Sequence, residues 1–365
     1  MVRDYILKKM IFPKLLIVDN PGIIISRNFK RLKGPYYDMR LSYTFEDFYD
    51  KLHKKTLKVA GKEETSFLEY IVGKNLATRY FSFNLSKEPV MKPKKLSNFK
   101  AKLAIKYLQD AYCGVGMSVC ENCKYDLSKK HFSFWGANNA VCRKTGDYSI
   151  MEGILSGSVG LLLGENIEAK CEQLDEKVFR INLHPEVTKR YAPDIASFGV
   201  SKEYRLNFRR KKFNSKLYSL KDFLKFGIIK MDEDDKSTFL GRTIIPTEFS
   251  LPEIFANTYS EFGLGKLFSD SVEEYSEELF SEILDNKNND EEKIRFFRNT
   301  MSALGYGQLF IKKNKNEVCV DFLNPIFLKL GLEYLKHFIL GFLNYIYSKK
   351  FVVVKEECGR FIYRS

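Results

Sequence analysis

The sequence predicts an α+β chain made of two diverged copies of one unit, each an antiparallel sheet with packed long helices, in a pseudo-twofold arrangement. Three observations predict it. Short motifs recur in one order along the two halves of the 365 residues. In each half a Gly-x-Gly opens an alternating apolar segment. In each half, too, a long apolar helix precedes a closing hairpin.

The elements follow in order. Gly22-Ile23-Ile24 returns as Gly227-Ile228-Ile229, each leading through a charged turn to a second extended segment. Glu46-Asp47-Phe48 returns as Glu253-Ile254-Phe255 inside helical patterns, with Thr44 and Ser250 as the expected N-caps. Gly114-Val115-Gly116 matches Gly305-Tyr306-Gly307, and the strand that follows each is paired with one ending at Asn138 or Asn324. The long helices centre on Gly157 and Gly341. The hairpins run from Ile167 to Ile181 and from Phe351 to Tyr363. Ile150 to Leu163 is apolar on nearly every face but too short to span a bilayer, so it reads as a core helix. There Gly153, Gly157 and Gly160 admit a neighbouring backbone. Phe327 to Tyr347 carries Lys329, Glu333, Lys336 and His337 and reads as amphipathic. The resulting division is a first unit at 1–184 with a basic N-terminal segment, a basic connector at 185–221, and a second, diverged unit at 222–365.

Composition bounds the function. With 44% apolar and 15% aromatic residues the chain can bury a core, and disorder is not its main character. It has no run of 18 uncharged apolar residues, and Asp4 stands where a signal peptide would be cationic. A cytoplasmic location without a transmembrane segment is therefore expected. Seven cysteines, an odd number, do not form a secreted disulfide framework. The net charge of +14 is uneven: residues 1–100 and 201–230 are strongly basic, and 231–300 are acidic.

Chemistry-bearing clusters are few. Cys120-Glu121-Asn122-Cys123 is expected at a hairpin turn, where it is either two unpaired thiols or half of a zinc knuckle needing a second pair. Basic residues interleave with aromatics at Arg27, Lys30 and Arg31 and again at Arg209, Arg210, Lys211 and Lys212. Such stretches suit the phosphates and bases of DNA or RNA. They equally suit an intramolecular partner in the acidic run Asp232 to Asp235 or in the helix Glu273 to Glu282. No Walker motif, nucleophile elbow, kinase signature or third dinucleotide glycine is present, and the four histidines form no ligand pair on one helix turn. An enzyme is thus not the expectation, and no catalytic residue is named. Nor is a flavin or nicotinamide cofactor.

The block from Cys142 through Glu152, Gly153 and Gly157, continued by Gly164 to Glu172 and Phe179 to Ile181, resembles the 4-vinyl-reductase domain. The second half repeats the shape with Gly305, Gly307, Gly341 and Glu356. The resemblance implies a small-molecule-binding module of the kind found in bacterial and archaeal regulators, with a fold similar to small subunits of the TRAPP vesicle-tethering complex. Some aromatic-compound sensors of that family hold zinc with cysteines and a Glu. Glu172 matches that Glu, but Tyr148 and Asp175 stand at the cysteine positions, so that zinc site is not expected. The resemblance also implies a pocket between sheet and long helices in the first unit. Its candidate lining residues are His131, Phe134, Trp135 and Asn138. Strand alternation sends Phe132 and Phe134 to one face and Trp135 to the other. Asp321 stands about where Trp135 stands, which makes the second copy structural or regulatory. The function expected is non-enzymatic binding of a small apolar ligand, by a pseudo-dimeric monomer or a homodimer. Nucleic-acid binding is the alternative, and behind it an enzyme acting on a hydrophobic substrate.

Overall fold

A computed structural model of the chain describes residues 16–26, 39–85, 119–126, 128–137, 139–163, 166–174, 178–185, 216–231, 237–248, 251–285, 289–323, 331–357 and 359–365. The architecture is α+β with antiparallel sheets. Two compact units are interleaved in sequence. The first comprises Met1–Lys8, Leu32–Tyr37 and Thr56–Leu206; the second comprises Lys9–Arg31, Asp38–Lys55 and Asn207–Ser365. Among the described residues no helix is long and apolar enough to cross a membrane.

In the second unit β1 (Leu16–Ile17), β2 (Ile24–Ser26) and β3 (Met39–Phe45) form one sheet with β8 (Ile229–Met231), β9 (Ser237–Phe239) and β10 (Arg242–Glu248). The order is β1-β2-β3-β10-β9-β8. The ladder between β3 and β10 runs from Phe45 opposite Ile244 to Leu41 opposite Glu248. Leu41, Ser42, Tyr43, Thr44 and Phe45 are all buried, so this central strand is covered on both faces. α1 (Glu46–Ala60) leaves β3 without a break. Thr44 therefore lies in the strand and not at the cap, and its hydroxyl sits 3.2 Å from Tyr49 Oη. The helix start relies on Glu46 and Asp47 in its first turn, where carboxylates favour the positive end of the dipole.

Across the expected boundary between connector and second unit runs a short helix, α4 (Leu220–Lys225), started by a capping box between Ser219 and Asp222. Next come α5 (Leu251–Glu261), α6 (Gly265–Leu284) and α7 (Asp290–Ala303), the last capped by Asn289, whose side chain accepts from Glu292 N at 2.7 Å. A second sheet holds β11 (Gln308–Lys313), β12 (Glu317–Leu323), β13 (Val352–Glu357) and β14 (Arg360–Arg364) in the order β11-β12-β14-β13. Its crossover helix is α8 (Glu333–Tyr347), which starts later than the apolar pattern from Phe327 predicts. The Gly305-Tyr306-Gly307 loop packs on the first sheet. Gly22 (φ +79) meets Gly307 so closely that a Cβ there would come within 2.6 Å of its carbonyl carbon. Tyr43 N also donates to Leu304 O at 2.9 Å.

The first unit contains α2 (Lys62–Leu85), β4 (Val119–Asp126), β5 (His131–Ala137), α3 (Ser149–Leu163), β6 (Ile167–Gln173) and β7 (Val178–Pro185). Its sheet has the order β4-β5-β7-β6, so its first, second, fourth and third strands are adjacent, as in the β11-β12-β14-β13 sheet. α3 lies against α2 backbone to backbone: a Cβ on Gly153 would stand 2.0 Å from Tyr70 O, and one on Gly157 2.9 Å from Lys74 O. The small-residue stripe of this helix is spent within its own unit.

Candidate functional site

The first unit gathers its ionisable groups between α2, α3 and β6. Tyr70 and Lys74 lie one helical turn apart on α2 and so share a face. Glu168 opens β6, and Ser156 faces it from α3. All four are buried. Lys74 Nζ contacts Glu168 Oε1 at 3.0 Å and donates to Asn166 Oδ1 at 3.1 Å. Asn166 Nδ2 donates to Glu168 Oε1 at 2.8 Å. The Tyr70 hydroxyl donates to the other carboxylate oxygen and lies 3.0 Å from Ser156 Oγ, which itself donates to Ile167 O. Burial alone would push the Glu168 carboxyl up. The hydrogen bonds from Tyr70, Asn166 and Lys74, with the Lys74 charge, outweigh it and hold Glu168 below the usual range. The cluster keeps an ion pair saturated in the interior. It ties helix to strand and presents neither acid nor base to a substrate.

The thiols nearby are equally inert. Burial, with Glu69 and Asp147, pushes the Cys142 thiol well up. Burial, with Glu152 and Asp147, pushes Cys171 up to about 12. Both stay protonated at neutral pH and are poor nucleophiles. Glu152 is engaged as well, accepting from Cys171 N at 2.6 Å. Glu172 pairs with Arg180 and accepts from Asn182 Nδ2 at 3.2 Å.

β5 separates the sequence-predicted ligand residues. Its burial alternates, with Phe132 and Phe134 each 3% exposed and His131 exposed at the strand's start. Phe134 therefore faces the core, while Trp135 lies half-buried on the other face beneath the Arg180 guanidinium, 5.5 Å from the ring. The row across the sheet is Asn122, Trp135, Arg180 and Glu172. Ser133 Oγ donates to Asn182 Oδ1 at 2.8 Å in the next row. Asn138 lies outside the described residues. Its neighbour Asn139 is buried and turns the chain, accepting from Val141 N at 3.0 Å and Cys142 N at 3.2 Å.

Cys120 and Cys123 lie within β4, opposite Gly136 and Phe134, with a bulge between Cys120 and Asn122. The hairpin turn they were expected to occupy falls further on. Asp126 Oδ1 accepts from Ser128 N at 3.0 Å and Lys129 N at 3.2 Å, and Lys130 takes the left-handed conformation (φ 54). Asp-initiated turn chemistry, legible at Asp126-Leu127-Ser128, decided the turn. The candidate polyanion residues Arg27, Lys30, Arg31, Arg209, Arg210, Lys211 and Lys212 lie outside the described residues, as do Gly114 and Gly116.

In the second unit the acidic helix α6 has its partners in view. Lys51 Nζ reaches Glu278 at 2.6 Å, Lys55 Nζ reaches Glu274 at 2.5 Å, and Arg242 bridges Asp47, at 3.2 Å, and Glu282. Its core is a stack of rings: Phe297 lies flat on Phe342 with centroids 3.7 Å apart, and Phe280 and Phe338 close the cluster. Glu253, fully buried on α5, accepts from Tyr334 N at 2.9 Å and Glu333 N at 3.1 Å and so caps α8 from outside the helix. No known family model matches this chain, and neither does any curated protein.

Proposed function

We propose that the chain is a non-enzymatic small-molecule-binding or regulatory protein, built of two diverged 4-vinyl-reductase-like copies related by a pseudo-twofold, whose first copy carries the ligand. The contrast between the units supports this reading. Their four-stranded sheets share one strand order, and their crossover helices α3 and α8 are each 15 residues long with glycine at the ninth position. Yet the second unit fills the space beside its crossover helix with stacked phenylalanines, whereas α3 brings aliphatic and small polar side chains to its own. The second copy is then structural, and Phe134 on the inner face of β5 is the aromatic side chain offered to a ligand in the first. The saturated Lys74 and Glu168 pair and the protonated thiols fit binding better than catalysis. Native mass spectrometry of freshly purified protein should find a bound small molecule, and Phe134→Ala should release it. Apo protein from every preparation would end the proposal.

A second reading, polyanion binding in the cytoplasm through Arg209 to Lys212 and Arg27 to Arg31, is favoured by one observation. Three carboxylates of α6, Glu274, Glu278 and Glu282, are already matched by Lys55, Lys51 and Arg242, so those three are not waiting for the basic runs. Charge reversal at Arg209, Arg210, Lys211 and Lys212 should weaken nucleic-acid retention and flatten its salt dependence. No retention of DNA or RNA by the unaltered protein in low salt would remove this reading.

A further inference from the structure

We propose that the outer face of the β4-β5-β7-β6 sheet, the face that carries Trp135, is a binding surface for single-stranded nucleic acid. This goes beyond both readings above. Phe134 lies on the opposite face of the same sheet, and the surface is built without the basic runs at Arg27 to Arg31 and Arg209 to Lys212. Strand alternation makes the face: Phe132 and Phe134 enter the core, so Ser133 and Trp135 leave by the other side. Pairing then sets residues in rows across four strands. One row is Asn122, Trp135, Arg180 and Glu172, and the next is Lys124, Ser133, Asn182 and Lys170. On the inner side Phe179, Ile181 and Leu183 are buried. On this side Lys124, Lys170 and Glu172 are exposed, and Ser133, Trp135, Arg180 and Asn182 are half-buried.

The indole is held in place by a chain of contacts. The Arg180 guanidinium lies 5.5 Å from the Trp135 ring centre and is itself tied to Glu172. Glu172 Oε1 accepts from Asn182 Nδ2 at 3.2 Å, and Asn182 Oδ1 accepts from Ser133 Oγ at 2.8 Å. Side chains from three strands thus fix a flat ring beside a flat cation. Both are groups on which an unpaired base stacks, and because they are already ordered, little side-chain entropy is lost when it does.

Charge selects a polyanion. Lys124 and Lys170 end the second row, about 14 Å apart across the sheet, and neither has an ion-pair partner among the described residues. The carboxylates beside them are engaged: Glu172 with Arg180 and Asn182, Asp126 with the amides of Ser128 and Lys129. The β11-β12-β14-β13 sheet, which has the same strand order, does the reverse. Its row is Phe310, Asp321, Arg360 and Glu357, with Asp321 in the place of Trp135. There Arg360 pairs with Asp321 at 2.5 Å, Lys355 with Glu357 at 2.7 Å, and Arg364 with Glu317 at 2.5 Å. The second sheet neutralises its own cations, whereas the first leaves a lysine on either side of an aromatic ring. Phosphates meet the lysines and a base meets the ring, which a duplex cannot offer because its bases are stacked on one another.

The full chain carries its own probe, because Trp135 is its single tryptophan. Labelled oligouridylate and oligothymidylate in low salt should quench its emission saturably, and the anisotropy of the label should rise over the same range. Trp135→Ala should weaken binding about tenfold, and Trp135→Phe, which keeps a ring, should weaken it less. Lys124→Gln with Lys170→Gln, two exposed positions, should lower affinity and reduce the logarithmic salt slope by about 1.4. Tighter oligouridylate than oligothymidylate makes RNA the partner, the reverse makes it DNA, and either supports the proposal. No binding of either strand overturns it. So does binding that leaves the emission unchanged and ignores Trp135→Ala; if charge reversal at Arg209 to Lys212 then abolishes that binding, the basic runs carry it and the second reading stands alone. Equal affinity for a duplex or for polyglutamate overturns it too, since the face would then attract any polyanion without stacking.

Discussion

Ser42 Oγ and Thr247 Oγ1 lie 3.3 Å apart, one pair in from the end of the ladder that joins β3 to β10. Both are buried, and Thr247 Oγ1 is also 3.3 Å from Ser42 O. Two hydroxyls, one from each half of the sequence, thus face each other across an antiparallel pair. Either truncation alone, Ser42→Ala or Thr247→Val, should cost about 1 kcal/mol by removing one buried hydroxyl contact. The double variant should cost less than the two together, and a double-mutant cycle by denaturant unfolding reads that coupling. Strict additivity would mean that the hydroxyls do not bond.

The buried Lys74 and Glu168 pair makes a sharper prediction. Lys74→Met strands a carboxylate in the core and should cost roughly 3–5 kcal/mol, while Lys74→Met with Glu168→Met should recover much of that loss. Because Glu168 is held below its ordinary value, its contribution is present above about pH 4.5 and is lost as pH falls through the lower folded value. Unfolding of the single and double variants between pH 3 and 7, on the order of a unit per step, checks both statements.

Glu253 predicts the opposite slope. Burial pushes its carboxyl from 4.5 up to about 8, against the pull of the two α8 amides. The folded chain then binds the proton more tightly than the unfolded one, so stability should fall as pH rises from 4.5 toward 8. Relative to Glu253→Gln the unaltered protein should lose up to about 5 kcal/mol over that window. A pH-independent difference between the two proteins would contradict it.

His337 loses its contribution in the same direction for another reason. Burial works against the charged imidazole, but Glu273, 2.6 Å from Nδ1, and Glu333, 3.5 Å from Nε2, hold it above the ordinary 6.5 despite the nearby Lys336. Glu333 is in turn held down to about 2, first by its bond to His337. The stabilisation is complete below the unfolded value of about 6.5 and disappears as pH rises through the folded one. Titration of the imidazole followed by NMR should show the raised value, and Glu273→Gln should lower it.

Gly153 tests the close approach of α2 and α3. A Cβ there would stand 2.0 Å from Tyr70 O, so Gly153→Ala should cost about 3 kcal/mol or more. Gly146→Ala, with open space around it and φ +69, should cost only about 1 kcal/mol from its left-handed backbone. Thermal unfolding of both variants separates crowding from backbone strain.

Several features were legible in the residues because they are local. The period-two pattern of His131 to Ala137 separates Phe134 from Trp135, since successive side chains of any strand leave by opposite faces. Gly153 and Gly157 announced a close helix contact because only a missing Cβ admits one. The Asp126 turn and the Ser219 and Asp222 capping box were there to be read, and were missed at Cys120 to Cys123 and in the connector.

What tertiary structure alone decided is partnership. The charge of Glu274 and Glu278 is plain in the sequence, but nothing local says that Lys55 and Lys51, more than 200 positions earlier, neutralise it rather than the nearer basic run. Lys74 finds Glu168 94 residues away, and Glu253 caps a helix 80 residues on. β3 joins β10 across 205 positions, which draws the opening strands into the second unit. A charge or a strand edge is satisfied by any complement, so the sequence by itself determined the elements, their faces and their demands. Which complement met each demand depended on how the sheets and helices closed around one another, because burial makes one partner available and withdraws the rest from water.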